Sequence, residues 1–432
     1  MSSIVERGKQ VLTTALGWDT EIVAVKASGA VVTDEKGREY LDFACGTAVT
    51  NIGHNHPAVV QAAKDQMDRV IHTGGVFYYE SIVRLGEELG KVCPGGIDTF
   101  FFSNAGAEAV EGAVKLARYV TKRMGILCFT GAFHGRTLGC VSLTTSTVKY
   151  RTHYRPLLPE IYRIPFPNPY RNPWQGSSET VVSDAIAHME RMFREEIHPS
   201  EVAAILIEPV QGEGGYIPAP REFLVYLRET CTRHGIQLIF DEVQSGFGRT
   251  AHWFAAQAYR IDPDIMAIAK GIAGGFPLSA VAARRETMRR WSPGAHGTTF
   301  GGNPVSCAAA VATLDVIHRE RLLEHAQSMG TLALSELKKM AREYPRIGDV
   351  RGIGLMIGVE LVKDPATKEP DPDAVDQVRR ICQEQGLVLI NCGTYGNVLR
   401  FIPPMVVTES QMKQALGTLE GAFAQVLGGV RA

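Results

Sequence analysis

Three short stretches of this sequence hold residues whose type and spacing could do chemistry. Leu238-Ile-Phe-Asp-Glu-Val-Gln244 is an apolar run that ends in a carboxylate pair, Asp241 and Glu242. Asp264-Ile-Met-Ala-Ile-Ala-Lys-Gly-Ile-Ala-Gly-Gly-Phe-Pro277 sets Lys270 directly after an apolar run and ahead of a glycine-rich loop. Lysine is seldom buried unless it is paired or functional, and burial lowers its pKa until the neutral amine can attack a carbonyl. Phe102-Ser-Asn-Ala-Gly-Ala-Glu-Ala-Val110 leads small residues into an amphipathic helix, whose free N–H groups and dipole suit a phosphate. Singly, each stretch has an ordinary structural reading. Together they offer a phosphate grip, a carboxylate partner for a pyridine nitrogen and a Schiff-base amine, the three contacts that pyridoxal 5'-phosphate requires.

Rival chemistries fail on spacing. A strand ending in Asp-Glu also occurs in nucleotide hydrolases, but these need G-x-x-x-x-G-K-[ST], and neither Gly-Lys pair (8–9, 90–91) fits it. Arg351-Gly-Ile-Gly-Leu-Met-Ile-Gly358 has its last glycine one residue late for a dinucleotide loop, and no strand–helix unit surrounds it. His54 and His56 form an H-x-H pair with no third ligand at a telling distance, so no metal is expected.

The elements that must position these residues follow from periodicity. Apolar stretches at 21–27 and 38–44 flank the turn signal Thr33-Asp-Glu-Lys-Gly37, which predicts an opening hairpin. From about residue 55, short apolar runs at Ile126–Thr130, Ala203–Ile207, Gln237–Phe240 and Ile265–Ile268 alternate with helical periods such as Val110, Ala113, Val114, Ala117, Val120. That alternation predicts an α/β fold, a mostly parallel sheet covered by helices on both faces, with ligands beyond the carboxyl ends of the strands. The proline-free segment Val305–Glu343 reads as one or two helices leaving a large domain. Strand-like pieces (354–361, 387–390, 398–402) and helices (374–385, 409–427) follow, the last capped by Thr408 with Gln411. Residues 363–373, with three prolines and many charges, read as a surface loop. The expected division is an N-terminal segment, 1–54, joined to a smaller α+β domain, 311–432, around a large domain, 55–310.

Composition excludes several partners. The 432 residues carry 45 basic and 46 acidic side chains, a net charge of −1, so neither nucleic acid nor an anionic membrane is expected to bind. The densest basic run, Lys149-Tyr-Arg-Thr-His-Tyr-Arg155, reads as a solvated or subunit-facing loop. No apolar stretch approaches the ~18–20 residues that span a bilayer. The start lacks the apolar core of a signal peptide, and the eight cysteines are scattered like buried free thiols, so a soluble, cytoplasmic protein is expected.

Asp241-Glu-Val-Gln-Ser-Gly-Phe-Gly-Arg-Thr250, followed by Lys270 in Ala-Lys-Gly-Ile-Ala-Gly-Gly-Phe-Pro, resembles the class III aminotransferases. The resemblance runs from Tyr40-Leu-Asp-Phe and Gly53-His-Asn-His-Pro57 to Leu399-Arg-Phe-Ile-Pro-Pro404, with the separated motifs in the family's order. It implies a fold-type I pyridoxal-phosphate transferase with a seven-stranded sheet, active as a homodimer or a larger tetramer with its site at the subunit interface. It implies Lys270 as the cofactor lysine, Asp241 as partner of the ring nitrogen, and Val243 and Phe133 on the two ring faces. Gln244 would reach the phenolic oxygen, Gly106 and Ala107 the phosphate, and Thr299 the phosphate of the neighbouring subunit. Many relatives have serine or threonine where Ala107 stands, so one hydroxyl contact is missing.

For the substrate, the resemblance makes Glu213, in Glu208-Pro-Val-Gln-Gly-Glu-Gly-Gly215, a gate for Arg400. Arg400 would clamp the α-carboxylate of an amino or oxo acid, and Glu213 would neutralise it when an ω-amine enters. Arg136 would bind the distal carboxylate, and Glu208 and Thr47 complete the expected substrate set. The reading closest in flavour is transfer from 4-aminobutyrate to 2-oxoglutarate by a ping-pong cycle. Thr47, where an aliphatic residue is usual, leaves acetylornithine, ornithine and β-alanine open, along with a racemase or epimerase on the same fold.

Overall fold

The structure, a computed structural model, describes residues 3–428. Its centre is a seven-stranded sheet in the spatial order Thr99–Ser103, Ser279–Ala283, Ile265–Ile268, Gln237–Asp241, Val202–Ile207, Gly125–Phe129, Ile161–Ile164. All neighbours pair in parallel except Ser279–Ala283, which is antiparallel to both of its own. The α/β, mostly parallel sheet expected from the alternation is therefore present.

Strands such as Val202–Ile207 and Gly125–Phe129 are buried at every residue, because helices cover both faces. Alternate side chains enter different cores. Ile126, Cys128, Ala204, Leu206, Ile239 and Ala267 pack against Ala109, Val110, Ala113, Ala117 and Val120 of the helix Gly106–Thr121. Leu127, Phe129, Ile205, Ile207, Leu238 and Phe240 face the helices Val181–Glu195 and Arg221–His234. The three strands not named from the sequence, at 99, 161 and 279, are short, and Ser279-Ala-Val-Ala-Ala283 lacks the β-branched density that marks a strand.

The opening hairpin is a three-stranded meander. Ala24–Ser28 pairs with Val31–Asp34, which pairs in turn with Glu39–Asp42. Gly29, at φ +56°, supplies a turn that the sequence reading passed over, and the Asp34 carboxylate closes the second by accepting from Lys36 and Arg38 N–H at 2.9 Å. Leu387–Val388 adds in parallel to Glu39–Asp42, so the first strands join the last third of the chain. There a four-stranded antiparallel sheet (Ile347–Ile353, Met356–Leu361, Val398–Phe401, Ile390–Cys392) lies against the helices Leu322–Glu343, Pro372–Glu384 and Glu409–Leu427.

The long proline-free segment is two helices, Pro304–Arg319 and Leu322–Glu343, separated by Arg321 in the left-handed region at φ +52°. The first helix serves both cores: Cys307, Ala310 and Leu314 face the large sheet, and Ala309, Val316 and Ile317 the C-terminal one. The expected surface loop ends early, because Asp371 is buried and caps the helix that follows by accepting from Ala374 N–H at 3.0 Å. No helix among the described residues is long and apolar enough to cross a membrane.

The last helix starts at the capping box read from the sequence, with Thr408 and Gln411 exchanging side-chain and backbone bonds at 3.0 and 3.2 Å. Thr408→Ala removes one half of that exchange, and urea unfolding is expected to show a loss of about 1 kcal/mol.

Candidate active site

The carboxyl ends of the central strands meet around a cavity of about 310 Å³. Its wall includes Gly106, Ala107, Phe133, His134, Glu208, Asp241, Val243, Gln244 and Lys270, which come from five separate strand–loop junctions.

Asp241 is the last residue of Gln237–Asp241 and only 4% exposed. A carboxylate this buried must be paired. Its Oδ2 lies 2.7 Å from Nδ1 of His134, and its Oδ1 accepts the Val243 N–H at 3.1 Å. Burial works against a charged imidazole at His134, but the Asp241 hydrogen bond and the charges of Asp241 and Glu208 outweigh it and raise its pKa. His134 Nε2 is buried without a partner. The sequence reading assigned Phe133 and Arg136 from the same run and passed over His134. The available signal was a histidine one residue from a stacking aromatic, in a site whose carboxylate needs an orienting group.

Lys270 follows Ile265–Ile268 and opens a short helical turn with φ +49°, unusual for a residue with a side chain. Burial, helped by the charge of Arg400, pulls its pKa down, while Glu213, Asp241 and Glu208 pull the other way. A lysine so placed holds a larger share of its amine neutral than one in water.

At the opposite wall, Gly106 starts the helix Gly106–Thr121. Glu108 folds back so that one carboxylate oxygen accepts the N–H groups of Asn104 and Ala105, each at 2.8 Å. Those of Gly106 and Ala107 belong to the first turn, which has no intrahelical partners, and they border the cavity. A Cβ at Gly106 would stand 2.8 Å from Val243 Cγ1, so the side chain that forms one wall requires glycine here. Gln244 is oriented by Tyr216, whose hydroxyl donates to its Oε1 at 2.7 Å. An anion-binding end, a carboxylate end, a lysine and two apolar walls fit a phosphorylated pyridine aldehyde in size and chemistry.

Glu208 lines the cavity and is tied to the backbone through both oxygens, accepting from Phe133 N–H and Gly212 N–H at 3.0 Å each. Burial pushes its pKa up to about 7. Arg400, on Val398–Phe401, is 3% exposed and meets Glu213 Oε1 through Nη2 at 2.5 Å. Its Nε and Nη1 are buried without partners, so the guanidinium keeps two unused donors. Against burial, Arg400 holds the Glu213 carboxyl below the usual carboxylate range, and Glu213 holds Arg400 charged.

Five expected residues are not part of this cavity's wall: Glu213 and Arg400, which pair with each other, and Thr47, Thr299 and Arg136. Thr47 is exposed on a left-handed turn at φ +64°, and it is Val49 that reaches the wall. Thr299 is exposed and away from its own chain's cavity. Arg136 lies 5.8 Å from the Phe133 ring and 4.4 Å from that of Tyr150. The basic run read as a solvated or subunit-facing loop contributes the half-buried Tyr150, which also meets Phe133 edge-on at 5.5 Å.

Glu213→Gln leaves the Arg400 charge buried and uncompensated, and a loss of about 3 kcal/mol is expected at pH 7. The folded-state pKa of Glu213 lies below 4.5, so its pairing stabilises the fold above that pH and is lost as the pH falls through the lowered value. In thermal unfolding, the gap between wild type and variant is expected to narrow as the pH drops below 4.5.

Residues 15–423 match the family described as aminotransferase class-III. The 5-aminovalerate aminotransferase DavT of Pseudomonas putida is 42% identical over 98% of each chain. The 4-aminobutyrate aminotransferase GabT of Escherichia coli is 40% identical over 97% of each. An alanine/serine racemase of Pyrococcus horikoshii is 37% identical over 99% of this chain and 91% of its own. Among solved structures, an amine transaminase from an uncultivated Pseudomonas species, in its PLP-bound form, superposes with a TM-score of 0.88 at 30% identity, covering 96% of this chain and 98% of that one. With the family matched from residue 15 to residue 423 and the strand ends converging on one lysine-bearing cavity, this chain belongs to the class-III aminotransferases.

Proposed function

We propose that this aminotransferase uses pyridoxal phosphate to move an amino group from an ω-amino acid, 4-aminobutyrate in the first instance, to 2-oxoglutarate. The carrying observation is the single cavity shared by Lys270, Asp241 with His134 behind it, and the helix start at Gly106, within the field of the Glu213–Arg400 pair. The cofactor, when bound, supplies an electrophilic carbon for the amine and a ring that takes up the electrons of the broken C–H bond. Gly106 and Ala107 hold its phosphate, Val243 and Phe133 its two faces, and Gln244 its phenolic oxygen.

The chain's own groups do the rest. Asp241, oriented by His134, would hold a proton on the ring nitrogen. Lys270 takes the proton from the substrate carbon and would deliver it to the cofactor's former aldehyde carbon, which leaves the substrate carbon at the oxidation level of the oxo product. Glu213 neutralises Arg400 while an ω-amine is bound, and Arg400 then turns its two unpaired donors to the α-carboxylate of the oxo acid. Arg136 takes the distal carboxylate. One methylene separates 4-aminobutyrate from 5-aminovalerate, a difference worth only about 1–3 kcal/mol to a pocket, so both are expected to react.

The working unit is proposed to be a homodimer in the cytoplasm. Val76, Phe77, Tyr78 and Phe300 are 76, 69, 97 and 62% exposed, and the first three line a groove of about 980 Å³. Thr299 adjoins Phe300 on this face, so a second copy that covers it would receive Thr299 near its cavity.

The test is a half-reaction. Holoenzyme receives 4-aminobutyrate without any oxo acid, and loss of the cofactor's visible absorption with one equivalent of succinic semialdehyde is expected. Racemisation of a chiral α-amino acid, with every ω-amine inert, would overturn the donor assignment and leave an isomerase. Lys270→Ala is expected to lower turnover by about a thousandfold or more. Gly106→Val is expected to keep its circular dichroism yet lose bound cofactor on gel filtration, because its side chain displaces Val243.

A further inference from the structure

The Glu213–Arg400 pair is useful as a gate only if Glu213 returns to the same place after each swing, so what holds its backbone decides how well it works. After the strand Val202–Ile207 the chain makes a short hairpin, Val210–Gln211 paired antiparallel with Ile217–Pro218, and Glu213 lies in its turn. Gly212 N–H donates to Glu208, and Gly215 and Tyr216 N–H both close a turn onto Gly212 C=O at 3.1 and 3.2 Å. The Glu213 carbonyl accepts the Gly393 N–H at 2.9 Å, from the hairpin whose second strand carries Arg400. Beyond Glu213, the carbonyl of Gly215 accepts twice from one side chain, Arg351 Nε at 2.9 Å and Nη2 at 2.7 Å.

Arg351 is itself fixed. Its side chain is 10% exposed, and Nη1 is paired with Asp349 Oδ2 at 2.8 Å and Glu360 Oε2 at 2.7 Å. Glu360 is completed by Arg171 Nε at 2.5 Å and Asn397 Nδ2 at 3.3 Å. Gly215 adopts φ +128°, and a Cβ on it would lie 3.1 Å from Arg351 Nη2, so glycine lets the fork reach the carbonyl. Ile347–Ile353, which carries Arg351, and Val398–Phe401, which carries Arg400, both pair with Met356–Leu361. One sheet therefore positions the arginine of the gate and the backbone of its carboxylate.

We infer that Arg351 is a positioning residue for substrate selection, whose two-pronged grip on Gly215 holds the Glu213 loop rigid so that the gate opens by side-chain rotation alone. A lysine has one compact ammonium and cannot reproduce the planar fork. The inference rests on the reading of Glu213 and Arg400 as a gate. It separates the two half-reactions: an ω-amine needs Glu213 held on Arg400, whereas glutamate needs Arg400 free. A loosened loop weakens the first and spares the second.

The experiment compares Arg351→Lys and the milder Asp349→Asn with wild-type holoenzyme in single half-reactions with 4-aminobutyrate and with glutamate, with thermal unfolding as the check of folding. Losing one charged hydrogen bond at the loop is expected to raise KM for 4-aminobutyrate about tenfold in Arg351→Lys, with the glutamate half-reaction within about twofold of wild type. Asp349→Asn, which keeps the fork but frees one side of it, is expected to shift the same ratio in the same direction by about threefold. Equal losses in both half-reactions, or an unchanged ratio in folded variants, would overturn the inference and leave the gate intact. A wild-type enzyme inert to 4-aminobutyrate and every other ω-amine would overturn the gate itself, and this inference with it.

Discussion

Asp241 ends a strand that has another strand hydrogen-bonded on each side, Val202–Ile207 and Ile265–Ile268, and it is 4% exposed there. An unpaired polar group in such a place is costly. His134 supplies the partner, its Nδ1 2.7 Å from Asp241 Oδ2. The pairing fixes the loop that follows Gly125–Phe129, which places Phe133 at one wall of the cavity, and Asp241 Oδ1 orders the turn that places Val243 at another. Glu208 completes the set by tying the Phe133 backbone to the loop that bears Glu213. Two buried carboxylates, Asp241 and Glu208, thus tie together three of the loops that meet at the site.

The second organising constraint is the direction of the strands. Because Thr99–Ser103, Gly125–Phe129, Val202–Ile207, Gln237–Asp241 and Ile265–Ile268 all run the same way, the loops carrying Gly106, Phe133, Glu208, Asp241 and Lys270 emerge at one edge. The single reversed strand, Ser279–Ala283, brings Pro277 and Leu278 to that edge from the opposite direction and closes the wall behind Lys270. The C-terminal sheet carries Arg400, whose charge acts on Lys270 and whose only charged hydrogen-bond partner among the described residues is Glu213. Arg400 retains two unpartnered donors in a buried setting, an arrangement that is costly unless something binds there.

Much of the fold was legible because local patterns agreed with it. The apolar runs at 126, 203, 237 and 265 are strands to within a residue or so, and the last helix begins at its capping box. The opening meander was read as a single hairpin because Gly29 alone marks its first turn, and Ala-rich Ser279–Ala283 escaped notice because its residues suit helix and strand alike. At the site, Lys270, Asp241, Gly106, Ala107, Phe133, Val243 and Gln244 were found as motif residues and line one cavity. His134, Tyr216, Tyr150 and Arg351 were not found. Their partners lie 107 residues away for His134, 28 for Tyr216 and 136 for Arg351, and no local period reports such pairs.

The sequence by itself determined the class of element at most positions and the groups able to do chemistry, because backbone propensity, side-chain period and functional-group identity are local properties. The tertiary structure decided which groups share one low-dielectric space: that Asp241 is held by His134, that Arg400 pairs with Glu213, and that Val49 stands at the cavity while Thr47 faces outward. Those outcomes depend on distances between segments far apart in the chain. Burial then turns such distances into charge states, which is why the same lysine, carboxylate and arginine mean little in the sequence and much once the strand ends have met.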